Sequence, residues 1–135
     1  MMNKTVVWVL LIIGSCFTGC TNSGPDLYTF SGKVTHQGKP VEKLFIKFTP
    51  DDLNTKSESV AISDEHGNFN MLISDTSGVF PGSHTVSCQD PLKLMGGKTS
   101  DDPGYLACIK KYAPGKSEMK VEVSKNTSGY ELKFD

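Results

Sequence analysis

The chain has 135 residues, 37% of them hydrophobic and 21% charged, with 14 basic and 15 acidic side chains for a formal charge of −1. Every one of those basic side chains is lysine, so the planar guanidinium that grips phosphate or carboxylate at two points is absent. Neither the charge balance nor the residue types suit a nucleic-acid partner.

Lys4 supplies a basic start, Val6 to Ile13 is an unbroken apolar run, and Gly14, Ser15 and Gly19 are small residues ahead of Cys20. A spanning helix needs roughly 20 apolar residues, whereas the core of an export signal has about 7 to 15. Residues 1–19 are therefore predicted to be a lipoprotein signal peptide, and residues 20–27 a lipidated N-terminus and flexible tether broken by Gly24 and Pro25. Phe17-Thr18-Gly19-Cys20 resembles the bacterial lipobox, whose cysteine receives diacylglycerol, although Phe17 stands where an aliphatic residue is usual. An ordinary secretory signal cut near Ser15 or Gly19 is the competing alternative and would leave Cys20 a plain thiol. Thr21, in place of an Asp after Cys20, points to the outer membrane. Lys4 is the only charge ahead of Cys20, so the remainder carries a formal charge of −2. Cys16 and the single tryptophan, Trp8, leave with the signal, which removes the residue best suited to a flat sugar platform.

Residues 28–135 are the size of one domain, and their apolar residues alternate. Tyr28, Phe30, Gly32 and Val34 mark a first strand; Leu44, Ile46 and Phe48 mark a second, stopped by Pro50 and the acidic pair Asp51 and Asp52. Ser59 to Ser63 carries Val60 and Ile62 as a third. Asp64 to Asn68 is predicted to be a hairpin turn with Gly67 at positive φ, ahead of a fourth strand with Phe69, Met71 and Ile73. A fifth strand directs His84, Val86 and Cys88 inward, with His84 as a partly buried structural histidine. Met119, Val121 and Val123 form a sixth, and Tyr130, Leu132 and Phe134 an integral seventh. The exception is Gln89 to Lys116. There Asp101 and Asp102 before Pro103 signal a helix start, and Tyr105, Cys108, Ile109 and Tyr112 recur at helical spacing. Leu92 to Asp102, with Gly96 and Gly97, is predicted to be a mobile, exposed loop and the first candidate for ligand contact.

Cys88 and Cys108 remain in the body of the domain. An exported domain favours a Cys88–Cys108 disulfide, closing about 20 residues and worth about 3 kcal/mol on the loop-entropy account. Two buried free thiols are the plain alternative. A thiolate metal site would need ligands from His36, His66 or His84, and none has a recognisable ligand spacing.

Phe30-Ser31-Gly32-Lys33-Val34-Thr35, Gly38-Lys39-Pro40-Val41, Phe48-Thr49-Pro50, Ser63 to Phe69 and Pro81-Gly82-Ser83-His84-Thr85-Val86 together resemble the small carboxypeptidase regulatory-like lipoproteins of planctomycete-type bacteria. Ile109-Lys110-Lys111-Tyr112 is similar to a further short stretch of that family. His84 replaces the family's Tyr, and Cys88 and Cys108 stand outside its pattern. The resemblance implies an all-β, seven-stranded, transthyretin-like (prealbumin-type) sandwich with one short helix between strands five and six. It also implies an accessory interaction module with no cofactor and no catalytic residues. The expected function is that of a lipid-anchored, non-enzymatic binding, adhesion or scaffold module, in contact with the membrane through its anchor and with an envelope protein or extracellular ligand. The alternative is an envelope lipoprotein that binds a small ligand or metal through the 89–116 loop with His36 or His66. A transthyretin-related hydroxyisourate hydrolase fits poorly, since those enzymes use Arg and a Tyr-Arg-Gly-Ser ending, whereas this chain has no Arg and closes on Tyr130-Glu131-Leu132-Lys133-Phe134-Asp135.

Overall fold

The computed structural model describes residues 26–52, 54 and 57–135, so the predicted signal segment and Cys20 lie outside the described residues. Among these the elements follow in order as β1 (Phe30–His36), β2 (Lys39–Pro40), β3 (Phe45–Pro50), β4 (Ser59–Ile62), β5 (Asn68–Asn70) and β6 (Leu72–Ile73). They continue with β7 (Thr76–Ser77), β8 (Gly82–Gln89), α1 (Pro103–Lys111), β9 (Lys120–Val123) and β10 (Thr127–Lys133). In one sheet β1 pairs in parallel with β10 and antiparallel with β2 and β5. The other runs β7-β6-β4-β3-β8-β9 with every pair antiparallel.

Alternation explains why two such layers stack. Leu44, Ile46 and Phe48 are fully buried on one side of the β3 segment, and Val86 and Cys88 on the matching side of β8. Opposite them sit Phe30, Val34, Phe69, Leu132 and Phe134 in the same apolar cluster. Phe30 meets Phe48 edge-on across the core, with ring centroids 5.1 Å apart. The described residues thus form an all-β sandwich, as the alternation predicts, with one α-helix among them.

Three details depart from the prediction. The fourth strand divides at buried Met71: β5 pairs with β1 in one sheet while β6 pairs with β4 in the other. Met71 bridges the change of sheet, its amide donating to Phe30 O at 2.9 Å and its carbonyl accepting from the Gly78 amide at 2.9 Å. The turn at Asp64 to Asn68 does carry Gly67 at φ 79°, but it leads from one sheet to the other instead of closing a hairpin. In the third strand, Ser59, Ala61 and Ser63 face the core, and Ile62 is 58% exposed. Register is the reason, because Ala61 and Ser59 lie opposite the inward Ile46 and Phe48 and must share their face. The buried hydroxyls are satisfied there. Ser63 Oγ donates to Val41 O at 2.7 Å and accepts from the Leu44 amide at 3.0 Å, while Ser59 Oγ donates to Gly78 O at 3.3 Å.

The helix starts where its sequence signals place it. Asp102 caps it by accepting from the Tyr105 amide at 3.0 Å, and Pro103 occupies the first turn. Tyr105 and Cys108 are the buried residues of α1, which packs against β8 and β1.

Candidate functional site

Between β8 and α1 the chain leaves the sheet and makes a loop whose geometry is set by one side chain, Asp90. It is 4% exposed, and its Oδ1 accepts from the Leu92 amide at 2.9 Å and the Thr99 hydroxyl at 2.5 Å. Its Oδ2 accepts from the Thr99 amide at 2.7 Å. Burial works to raise the Asp90 pKa, but these bonds outweigh it and hold the group below its ordinary value. A carboxylate at the base therefore ties the two ends of the 90–99 loop together.

The tip of this loop is a short 3-10 turn, Lys93–Met95, ended by Gly96 at φ 73°. Its amides are used internally: Met95 N donates to Leu92 O at 2.9 Å and Gly97 N to the same oxygen at 3.0 Å. A closed turn leaves its side chains outside. Leu94 is 96% exposed and Met95 82%, with Leu92 also exposed beside them.

Under the loop, against α1, runs a groove of about 350 Å³. Leu106, Ile109, Ala113 and Pro114 give it apolar lining, and Lys93, Lys98 and Lys110 line it as well. Lys98 is paired with Asp101, while Lys93 and Lys110 meet no carboxylate among the described residues. Groove and apolar tip both belong to the Gln89 to Lys116 segment predicted as the place of ligand contact. The sequence signal is the stretch Leu92 to Asp102 with its two adjacent glycines, Gly96 and Gly97. The part played by Asp90 had no such signal, because it rests on pairing with a residue nine positions away.

The predicted cysteine pair does come together, but as buried free thiols in place of the expected disulfide. Cys88 Sγ is turned to the main chain of its neighbour and donates to Cys108 O at 3.2 Å, whereas Cys108 Sγ lies 3.9 Å from Phe134 O. Burial, with the Cys108 sulfur nearby, pushes the Cys88 thiol far up; burial and the charges of Asp102 and Asp135 push Cys108 up to about 12. Neither is a thiolate at neutral pH, so neither is poised as a nucleophile.

The histidines are dispersed. His84 is buried, as its inward position predicts, with Nε2 bonded to Phe80 O at 2.8 Å and Nδ1 without a partner among the described residues. His36 Nδ1 lies 2.5 Å from Phe134 O and its ring lines a cleft of about 310 Å³ near the start of α1. His66 is exposed and 3.4 Å from Glu65. Among the described residues no three His, Cys, Asp or Glu side chains gather as metal ligands. His36 approaches the 89–116 segment through Asp102 and Gly104; His66 lies beside Glu65 in the turn before β5.

On the outer face of the six-stranded sheet, Asp51 accepts from Lys120 Nζ at 2.8 Å, the Thr85 hydroxyl at 2.8 Å and the Ser83 hydroxyl at 2.7 Å. Lys120 Nζ also reaches Thr85 Oγ1 at 2.7 Å. Hydroxyl next to amine is the arrangement of a nucleophile and base, but here Lys120 Nζ donates to both Asp51 and Thr85 Oγ1, so it faces the hydroxyl as a donor instead of an acceptor for its proton. The hydrogen bond from Lys120, followed by those from Ser83 and Thr85, keeps Asp51 well below the usual carboxylate range. The cluster ties β8 and β9 to the end of β3. Comparison with protein families, with curated proteins and with solved structures gave no match to this chain.

Proposed function

We propose that this chain is a lipid-anchored, non-enzymatic binding module of the cell envelope. In this reading Cys20 holds it at the outer membrane, the sandwich is of the carboxypeptidase regulatory-like, transthyretin-like kind, and the 89–116 segment makes the contact. The observation that carries the binding role is the tip of the loop, where Leu94 and Met95 stand in water beside an apolar groove. Folding gains nothing from such exposure, whereas association removes it from water. A non-enzymatic role is supported by the state of the reactive groups: protonated thiols, a lysine that donates to Asp51 and Thr85, and a buried His84 bonded to Phe80 O.

The test is a photo-crosslinking residue placed at Leu94 in cells, compared with one at Lys125 beyond the other end of β8. A discrete adduct from position 94, missing from position 125 and lost in Cys20→Ala, is the expected result. No adduct from position 94, or the same adducts from both, refutes the proposal. The anchor has its own check in radiolabelled palmitate, which should enter the wild-type chain and not Cys20→Ala; a well-expressed wild-type chain without label rejects it.

A further inference from the structure

The groove between the 90–99 loop and α1 combines two chemistries that one small molecule can satisfy. Leu106, Ile109 and Ala113 offer apolar surface, and Lys93 and Lys110 offer two cations without a carboxylate partner among the described residues. Lys98 is already neutralised by Asp101. The one carboxylate that lines the groove, Asp90, spends its oxygens on Thr99 and Leu92. The surplus at the groove is therefore positive. Its volume of about 350 Å³ is at the lower end of small-molecule sites, enough for a short chain and too small for a folded element.

The chain enters the sandwich at Tyr28, bridged to Val79 near the Gly82 end of β8, and the groove lies past the Gln89 end. Eight residues of strand at about 3.3 Å each put roughly 25 Å between the two. The point where the chain enters the sandwich and the groove are thus at opposite ends of β8.

We infer that this groove binds a monomeric amphipathic anion, an acyl chain bearing a carboxylate or phosphate, with the chain on Leu106, Ile109 and Ala113 and the head between Lys93 and Lys110. The inference rests on the proposed role of the 89–116 segment in binding and names the chemistry of one occupant.

The probe is decanoic acid carrying a diazirine in its chain, used on the full protein reconstituted in phosphatidylcholine vesicles, with labelled peptides mapped by mass spectrometry. Label is expected on Leu106 to Pro114, displaced by decanoate and not by decyltrimethylammonium. Reversing both rim charges in Lys93→Glu/Lys110→Glu should lower that label roughly tenfold. Label spread over the domain, equal displacement by anion and cation, or no effect of the double variant overturns the inference. So does stronger labelling of the same segment by a diazirine phosphatidylglycerol in the bilayer, which would identify a membrane headgroup as the occupant. If decanoate fails while a crosslinker at Leu94 still captures an envelope component, the binding role stands and only the anionic amphiphile falls.

Discussion

Gly32 of β1 lies so close to Tyr130 of β10 that a Cβ placed on it would be 1.9 Å from the Tyr130 carbonyl oxygen. The two residues are register partners at the point where the β1–β10 pairing shifts past Phe30. Backbone approaches backbone here, and no rotamer change can relieve the contact. Gly32→Ala is therefore expected to destabilise the domain by roughly 3 kcal/mol, read as a lower urea midpoint. An unchanged midpoint would mean that β10 does not lie against β1 as described.

The inverted face of β4 makes a paired prediction. Ile62→Thr removes an exposed side chain and should change stability by less than about 0.5 kcal/mol, whereas Ile46→Ala, its fully buried neighbour on β3, should cost about 3 kcal/mol. Equal losses in thermal or urea unfolding would place Ile62 in the core and reverse the register.

Asp90→Ala should release the 90–99 loop while the sandwich persists. The Thr99 and Leu92 amides lose their acceptor, and the variant is expected to be cut by trypsin after Lys93 and Lys98 much faster than the wild type. Circular dichroism should show the strands retained. Wild-type cleavage rates at both lysines would show that Asp90 is not what ties the loop.

Acid should weaken the fold from about pH 4 downward. Asp51, Asp64 and Asp90 all have folded pKa values below the ordinary 3.8. Asp51 is lowered first by its bond from Lys120, and Asp64 first by the backbone bond from Asn68. For Asp90, burial opposes the shift and is outweighed by the bonds from Thr99 and Leu92. A lowered folded pKa means that the unfolded chain binds protons first, so the stabilisation is whole above pH 4 and is lost as pH falls through the folded values. Urea midpoints measured from pH 6 to pH 2 should fall, and Asp51→Asn should flatten part of that fall. A midpoint independent of pH below 4 contradicts these shifts.

Thiol titration tests the cysteine pair. Both groups are fully buried and protonated at neutral pH, so Cys88 and Cys108 should resist Ellman's reagent in the folded protein and react in urea without added reductant. If the denatured chain yields thiol at neither position until reductant is added, the pair is bridged.

Much of the sandwich is legible because a strand that packs on one side announces itself by alternation. Leu44-Ile46-Phe48, His84-Val86-Cys88 and Val121-Val123 all point where period two sends them. Asp102 and Pro103 likewise gave the start of α1 through local chemistry alone. Ser59 to Ser63 defeated the same rule, because an apolar pair at one parity and small residues at the other do not say which face a neighbour will claim. Only pairing with β3 decides that. The division at Met71 was hidden for a related reason, as Phe69, Met71 and Ile73 alternate correctly while hydrogen bonding to different sheets. At the candidate site, the exposed loop from Leu92 to Asp102 and the helix were visible in sequence. Lys93 and Lys110 come to line one groove only after Asp90 folds the loop back over α1.

The parallel partnership of β1 and β10 also has a temporal meaning. Thr29, just ahead of β1, bonds to Asn126, 97 residues further along, so a central strand of one sheet waits for nearly the whole domain to be made before that side closes. Closing so long a loop late is a slow step, as in other domains dominated by distant pairings. Until β10 arrives, that edge of β1 has no strand to pair with.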